Sequence, residues 1–312
     1  MLTRRTLLSI PVLGLIPVSR LDRESIFPAL LPATRLLFGG DVMLSRYVGA
    51  VARQRKDPAW PLRELASTLA AADIAFVNLE SPFSDRGRVV ESGMVFKAGP
   101  DMVAALRVAG IDIVSTANNH ARDCGDYGVE FTLEWLHRNG IANVGTGLNE
   151  NAAHAGAVLT RNGTRFGFLA YTYDQANGNY RDADPRIAVM DLSRLQADVA
   201  GMRERADVVI VSMHAGIEYR SKPNAQQIEF AHAAIDAGAR LVIGHHPHVV
   251  EPAEEYRGGV IFYSLGNLVF DQSQRVETQH GLLAEVIFRQ RKLEGYRLLP
   301  VQIVETVPRL EN

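Results

Sequence analysis

Three imidazoles stand within four residues at His245-His246-Pro247-His248, directly after Gly244 and the apolar run Ala239-Arg240-Leu241-Val242-Ile243. A buried strand ending in such a cluster puts neutral ring nitrogens at the carboxyl edge of a sheet, where open α/β sheets carry their sites. Neutral imidazole is the commonest metal ligand near pH 7, so the spacing points to a metal rather than to a histidine-rich surface loop. Four other strand-like runs end in residues of ligand type: Asp41 after 35–40, Asn78 and Glu80 after 74–77, Asn118-Asn119-His120 after 111–115, and His214 after 208–212. Two divalent cations need oxygen and nitrogen ligands converging from separate elements, with one carboxylate able to bridge them. Each residue alone has an ordinary use: Asp41 as a helix cap, Asn78 in a turn, His120 as a satisfied core histidine. Together the five strand ends make the set that a di-metal hydrolase requires.

The elements that must position these residues alternate. Strand signals at 35–40, 74–77 and 111–115 are separated by helical patterns at 62–71 and 102–109. A third helix at 127–138 is closed by Asn139-Gly140, whose glycine suits a C-terminal cap. Runs at 157–160 and 166–170 flank Asn162-Gly163, a strong hairpin signal. Helix 193–205, strand 208–212, helix 225–237 and the histidine strand follow, then strands at 260–264, 281–289 and 296–305. One α/β domain over 35–312, with two packed sheets sheathed by helices, accommodates this order. A split near residue 155 is the alternative, and it would make the two sets of ligand residues meet across an interface.

Four further histidines lack an acidic or histidine neighbour at ligand spacing. His137 and His232 fall in predicted helices, His154 in a polar loop and His280 beside a strand, so all four read as structural or solvent-facing. Of the 312 residues 47% are apolar and 22% charged, an ordinary globular composition. The net charge of -2 offers no basic footprint for nucleic acid. The single cysteine, Cys124, excludes an intrachain disulfide framework and a cysteine-rich zinc site, and reads as a packed residue rather than a nucleophile. Residues 1–34 read as an export signal and linker. Thr3-Arg4-Arg5-Thr6 precedes a short, proline-broken apolar stretch and resembles a twin-arginine signal, a route that carries folded, cofactor-loaded proteins. No clear cleavage site follows, so retention as an amino-terminal membrane anchor is the other outcome of an export route to the periplasm or cell envelope.

The chain resembles the CapA family of poly-γ-glutamate capsule-synthesis proteins, within the calcineurin-like metallophosphoesterase superfamily. The resemblance rests on Gly40-Asp41-Val42-Met43-Leu44-Ser45-Arg46, Asn78-Leu79-Glu80, Asn118-Asn119-His120-Ala121-Arg122-Asp123-Cys124-Gly125, His214-Ala215-Gly216-Ile217-Glu218-Tyr219, Gly244-His245-His246-Pro247-His248 and Tyr263-Ser264-Leu265-Gly266-Asn267, in family order. It implies a four-layer α-β-β-α sandwich with mixed sheets. It implies Asp41 as the first-motif metal ligand and Glu80 where the superfamily has a bridging Asp. It also implies Asn119 and His214 on the second metal, His120 against the leaving group, and His246 and His248 as the closing His-x-His pair. His245 is then an extra, supporting histidine. Two positions depart from the superfamily pattern: Met43 stands where the first motif has histidine, and Asn-x-Glu replaces Gly-Asp-x-x-Asp.

Two functional expectations follow. The first is metal-dependent hydrolysis or transfer on one or two divalent ions (manganese, iron or zinc), with Arg46 stabilising developing negative charge and His120 as general acid. Its substrate would be an anionic polymer or a phosphoester. The second is a non-catalytic envelope component that binds an anionic polymer and assists its assembly or export beside other capsule-synthesis proteins. Capsule-related work is an implication of the resemblance alone.

Overall fold

A computed structural model describes residues 32–87, 94–173 and 184–311. The twin-arginine segment lies outside the described residues. The chain lays down β1 (Thr34–Val42), β2 (Ile74–Leu79), β3 (Ile113–Ser115) and β4 (Ala142–Val144) as parallel neighbours. It then builds a second sheet from β5 (Ala157–Arg161), β6 (Thr164–Thr172), β7 (Val208–His214), β8 (Leu241–His245), β9 (Ala253–Tyr256) and β10 (Gly259–Phe262). Finally it returns to the first sheet with β11 (Asn267–Val269), β12 (His280–Arg289), β13 (Lys292–Val304) and β14 (Val307–Leu310). The first sheet runs β14-β13-β12-β1-β2-β3-β4 with β11 also on β1; the second runs β5-β6-β7-β8-β10-β9. Both sheets are mixed: the first is parallel from β1 to its β4 edge and antiparallel through β12, β13 and β14, and the second is parallel at its centre and antiparallel at both flanks.

The helices are α1 (Arg46–Gln54), α2 (Ala66–Ala70), α3 (Val103–Val108), α4 (Gly125–Arg138), α5 (Glu150–His154), α6 (Leu192–Arg205) and α7 (Ala225–Ala237). Side chains alternate across a strand, so each central strand feeds two layers. Leu36 and Phe38 of β1, with Ile74 and Phe76 of β2, face Phe166, Phe168, Ile210 and Ile243 of the second sheet. Leu37, Ala75 and Val77 face outward, into a layer shared with Val48, Leu62 and Leu106. Val209, Val211 and Val242 face outward on the other side, against Leu195, Val199, Phe230 and Ala234. Three apolar layers between four strata of secondary structure make the α-β-β-α sandwich expected from the resemblance.

Most long elements stand where their periodicity put them, including the hairpin at Asn162-Gly163, where Asn162 has φ 51° and Gly163 φ 78°. The helix expected over 62–71 is half 3-10 (Trp60–Leu65), with α2 as its remainder. The strand expected over 296–305 is longer and continues after a turn into β14. Strands β4, β9, β11 and β14 have three or four residues each, too few for a period to register. Among the described residues no helix is long and apolar enough to cross a membrane.

Of the four histidines outside the ligand set, one is placed differently from its expectation. His154 ends α5 rather than lying in a loop, and its Nδ1 is 2.7 Å from Asp198. His232 is 3.1 Å from Glu254, and His280 is 2.9 Å from Glu311. These acidic partners lie 22 to 44 residues away in sequence, beyond what local spacing reveals. His137 is exposed.

Candidate metal centre

The carboxyl ends of the central strands of both sheets meet at one place. Asp41 pairs in register with Asn78 and with Asn267, and His214 pairs with His245 across the other sheet. Two glycines permit the approach of the 263–267 segment. A Cβ at Gly40 would stand 1.9 Å from the Gly266 carbonyl, and one at Gly244 would stand 1.8 Å from the Tyr263 carbonyl. The turn after β8 carries more backbone strain. His246 has φ 98° and His248 φ 60°, a region costing non-glycine residues about 1–3 kcal/mol and found mostly at functional sites.

The side chains of Asp41, Glu80, His214 and His245 are fully buried, and those of His246 and His248 nearly so. One ligand atom each from Glu80, His214 and His246 fall within 4.8 Å of one another, and the same holds for Asp41, Glu80 and His248. Glu80 belongs to both groups. Its Oε1 is 3.9 Å from His214 Nε2 and 3.7 Å from His248 Nε2. Asn119 Oδ1 is 2.8 Å from His214 Nε2, which brings the expected amide ligand to the same point. Asp41 accepts hydrogen bonds from the Asn78 amide at 2.8 Å and from the His246 backbone N–H at 3.2 Å.

The electrostatics of this cluster are unbalanced. Burial raises the Glu80 carboxyl well above the ordinary carboxylate range, and the nearby charges of Asp41, Glu218 and Asp123 add to it. Burial also pushes Asp41 upward, but the imidazoles of His245 and His248, each 3.4 Å away, outweigh it and hold Asp41 well below. Burial lowers His214, and the adjacent His246 lowers it further. His246 is pushed down to about 3 by burial, with His248 adding to the effect. Both are therefore neutral imidazoles at pH 7, the form that ligates metals.

Both Glu80 oxygens, His246 Nδ1 and both ring nitrogens of His245 are buried without a hydrogen-bond partner among the described residues. A buried carboxylate without compensation costs several kcal/mol. Oxygen and neutral nitrogen donors converging from separate strands, with orphaned lone pairs between them, fit a divalent cation of the borderline class. The donor set is compatible with metal binding.

Met43 stands apart from this set. Its side chain packs in the outer core with Leu37 and Leu44, and its sulfur accepts from Ser45 N at 3.2 Å and Ser45 Oγ at 3.0 Å. His120 lies beside the cluster. Its Nδ1 is 2.7 Å from Asp123, and its ring stacks on Phe96 at 3.8 Å. Asp123 also accepts from the Phe96 backbone N–H, so one carboxylate fixes both rings. Arg46 is outside the two ligand groups. Its guanidinium is 5.4 Å from the Phe96 ring centre, on the surface, and 3.3 Å from Asp271.

The contacts of several supporting residues escape a reading of the sequence. Asn78 donates to Asp41, accepts from Asn118, and lies 3.3 Å from His214. Asn267 is 3.0 Å from His248 Nδ1, orienting that ring. Tyr173 packs 4.7 Å from His246. Asn78 carries a local signal at its strand end, and Asp123 one three residues after His120. Cys124 is buried and its thiol is pushed up to about 11 by burial, which suits a packed residue.

A sequence profile described as "Bacterial capsule synthesis protein PGA_cap" matches residues 35–272. The chain is 30% identical over 282 residues to the PGA biosynthesis protein CapA of Bacillus subtilis, covering 87% of this chain and 72% of that one. It is 29% identical to the capsule biosynthesis protein CapA of Bacillus anthracis, covering 86% and 67%. Among solved structures, the NAD nucleotidase of Haemophilus influenzae superposes with TM-score 0.55 at 11% identity, over 87% of this chain and 56% of that one. That likeness is one of fold, a two-sheet architecture, and it spans just over half of the nucleotidase.

Proposed function

The chain belongs to the bacterial capsule synthesis protein (PGA_cap) family, and from that membership we propose that it is an exported component of poly-γ-glutamate or capsule polymer metabolism with a metal-dependent, phosphoesterase-like hydrolytic site. The observation that carries the proposal is the Glu80 carboxylate, common to two ligand groups and without a hydrogen-bond partner. Glu80, His214, His246 and Asn119 would hold one cation, and Asp41, Glu80 and His248 a second.

A manganese, iron or zinc ion held there would supply Lewis acidity and a more acidic water at neutral pH. The chain supplies the rest. Protonated on both nitrogens, His120 would donate Nδ1–H to Asp123, which fixes the ring, and would give its Nε2 proton to the departing oxygen or nitrogen, leaving the neutral Nδ1–H tautomer. Phe96 stacked on that ring limits its rotation. Arg46, on the solvent side of Phe96, meets the negative charge of an arriving phosphoester or polycarboxylate. The buried floor of Phe76 and Phe270 beside the histidines keeps the local dielectric low, which strengthens each of these interactions.

Turnover of phosphodiesters and γ-glutamyl peptides by the full chain with added manganese tests this reading. Metal-dependent turnover lost in His246→Ala/His248→Ala supports it; turnover indifferent to those substitutions contradicts it. One observation favours a second reading, a binding component without catalysis: Met43 is committed to the core and contributes nothing to the first ligand group. Stoichiometric polymer binding without turnover, surviving chelation, identifies that case.

A further inference from the structure

A second concentration of charge lies at the opposite edge of the second sheet. A cleft of 380 Å³ is lined by Arg165, Arg203, Arg240, Arg257 and Arg291, with Asp207 as its acidic residue. The chain as a whole has net charge -2, so five guanidinium groups around one cavity are a local excess. They come from separate places: the start of β6, the last turn of α6, the residue before β8, the β9–β10 turn and the β12–β13 turn.

The internal carboxylates do not use up this charge. Asp207 is shared by Arg165 at 3.0 Å and Arg291 at 2.8 Å. Arg257 pairs with Asp236 at 2.7 Å, outside the cleft lining. Among the described residues the Arg240 guanidinium donates only to the Gly258 carbonyl, at 3.2 Å. The Arg203 guanidinium has no hydrogen bond or ion pair among the described residues. Its stem is seated where a Cβ at Gly238 would stand 2.8 Å from its Cδ, and its residue is exposed. Two arginines thus present guanidinium forks to the cleft without a carboxylate of their own.

We propose that this arginine cleft is a second binding site, which holds a polycarboxylate chain away from the metal centre. The guanidinium fork accepts a carboxylate through two parallel hydrogen bonds, and arginines from five elements offer several such forks to successive acidic groups. The cleft opens at the amino ends of β6, β7 and β8, while His214 and His245 stand at the carboxyl ends. Seven residues of β7 separate the two edges, roughly 20 Å. A polymer held there stays with the protein while another stretch of the same chain reaches the site. The choice of carboxylates as the anion rests on the polymer reading above.

Fluorescence polarisation of labelled poly-γ-glutamate on the full chain tests the cleft, with Arg203→Glu/Arg240→Glu and His246→Ala/His248→Ala compared against wild type. The expected result is binding weakened about tenfold or more by the arginine pair, weakened by added salt, and unchanged in the histidine pair. Manganese-dependent turnover of a small phosphodiester stays unchanged in the arginine pair. Should charge reversal disturb folding, seen as a lowered Tm, Arg203→Gln/Arg240→Gln gives the same test with a loss of about threefold. Wild-type binding by the arginine variants overturns the cleft, as does binding lost only in the histidine pair, which leaves the hydrolytic reading intact. Capture of inorganic polyphosphate but not of poly-γ-glutamate overturns the assigned ligand class.

Discussion

The two edges of the parallel strands hold the same residue types and treat them in opposite ways. At the amino edge, Asp73, Asp112 and Asp207 each precede a strand and accept from a neighbouring strand's N–H: Arg35 N at 2.7 Å, Ala75 N at 2.9 Å and Arg165 N at 3.0 Å. Arginines add to two of them, Arg161 on Asp112 at 2.8 Å and Arg165 on Asp207. At the carboxyl edge, Asp41 and Glu80 are fully buried, no arginine or lysine pairs with them among the described residues, and both Glu80 oxygens lack a hydrogen bond. Carboxylates that serve the fold are satisfied by the chain itself. The carboxyl edge instead leaves Glu80 unsatisfied, which is the difference the proposed metal would account for.

The strongest way to break this contrast is chemical. His120→Ala removes the ring next to the cluster, and turnover should fall about 10²–10⁴-fold while metal binding persists. Full activity in that variant, read from kcat on a small phosphodiester, separates His120 from the reaction. Chelation and reconstitution come next. If a cation binds the folded chain and not the unfolded one, as proposed, metal at a thousandfold its Kd should add about 4 kcal/mol of stability. The rise in Tm should vanish in His246→Ala/His248→Ala.

Glu80→Gln gives a smaller effect of unusual sign. Replacing a buried acid that has no hydrogen-bond partner by a neutral amide should stabilise the metal-free protein by about 1–3 kcal/mol in denaturant unfolding, while abolishing the metal response. Destabilisation of the metal-free form would mean that Glu80 serves the fold after all. The smallest effect belongs to the amino edge. The Arg165 guanidinium beside Asp207 holds its carboxyl down to about 2. A depressed folded pKa adds stability above the unfolded value of 3.8, and that stability is lost as pH falls from there towards 2. Asp207→Asn should therefore cost about 1–2 kcal/mol at pH 7, a small fraction of that near pH 2 and nothing well below it. An equal cost at both pH values refutes the ion-pair origin.

The sequence exposed the carboxyl edge more fully than the rest. Asp41, Glu80, Asn119, His214, His246 and His248 follow apolar runs, so the rule that sites gather at strand ends was enough to group them. The supporting residues were hidden because their partners are far away in the chain: Asn267 is 19 residues from His248, and Asp198 is 44 from His154. Strands β4, β9, β11 and β14 are held by pairing with neighbours rather than by a pattern of their own. Met43 shows a further limit. Its position in the motif could be read from the sequence, but its burial in the outer core could not.

Elemental analysis of metal-reconstituted wild type and Glu80→Gln, with folding of each verified by Tm, tests the central claim directly. If Glu80 is the shared carboxylate of a metal centre, wild type carries one to two equivalents of manganese, iron or zinc, and Glu80→Gln loses at least one of them. Wild type without bound metal, or Glu80→Gln with the same content, contradicts the account.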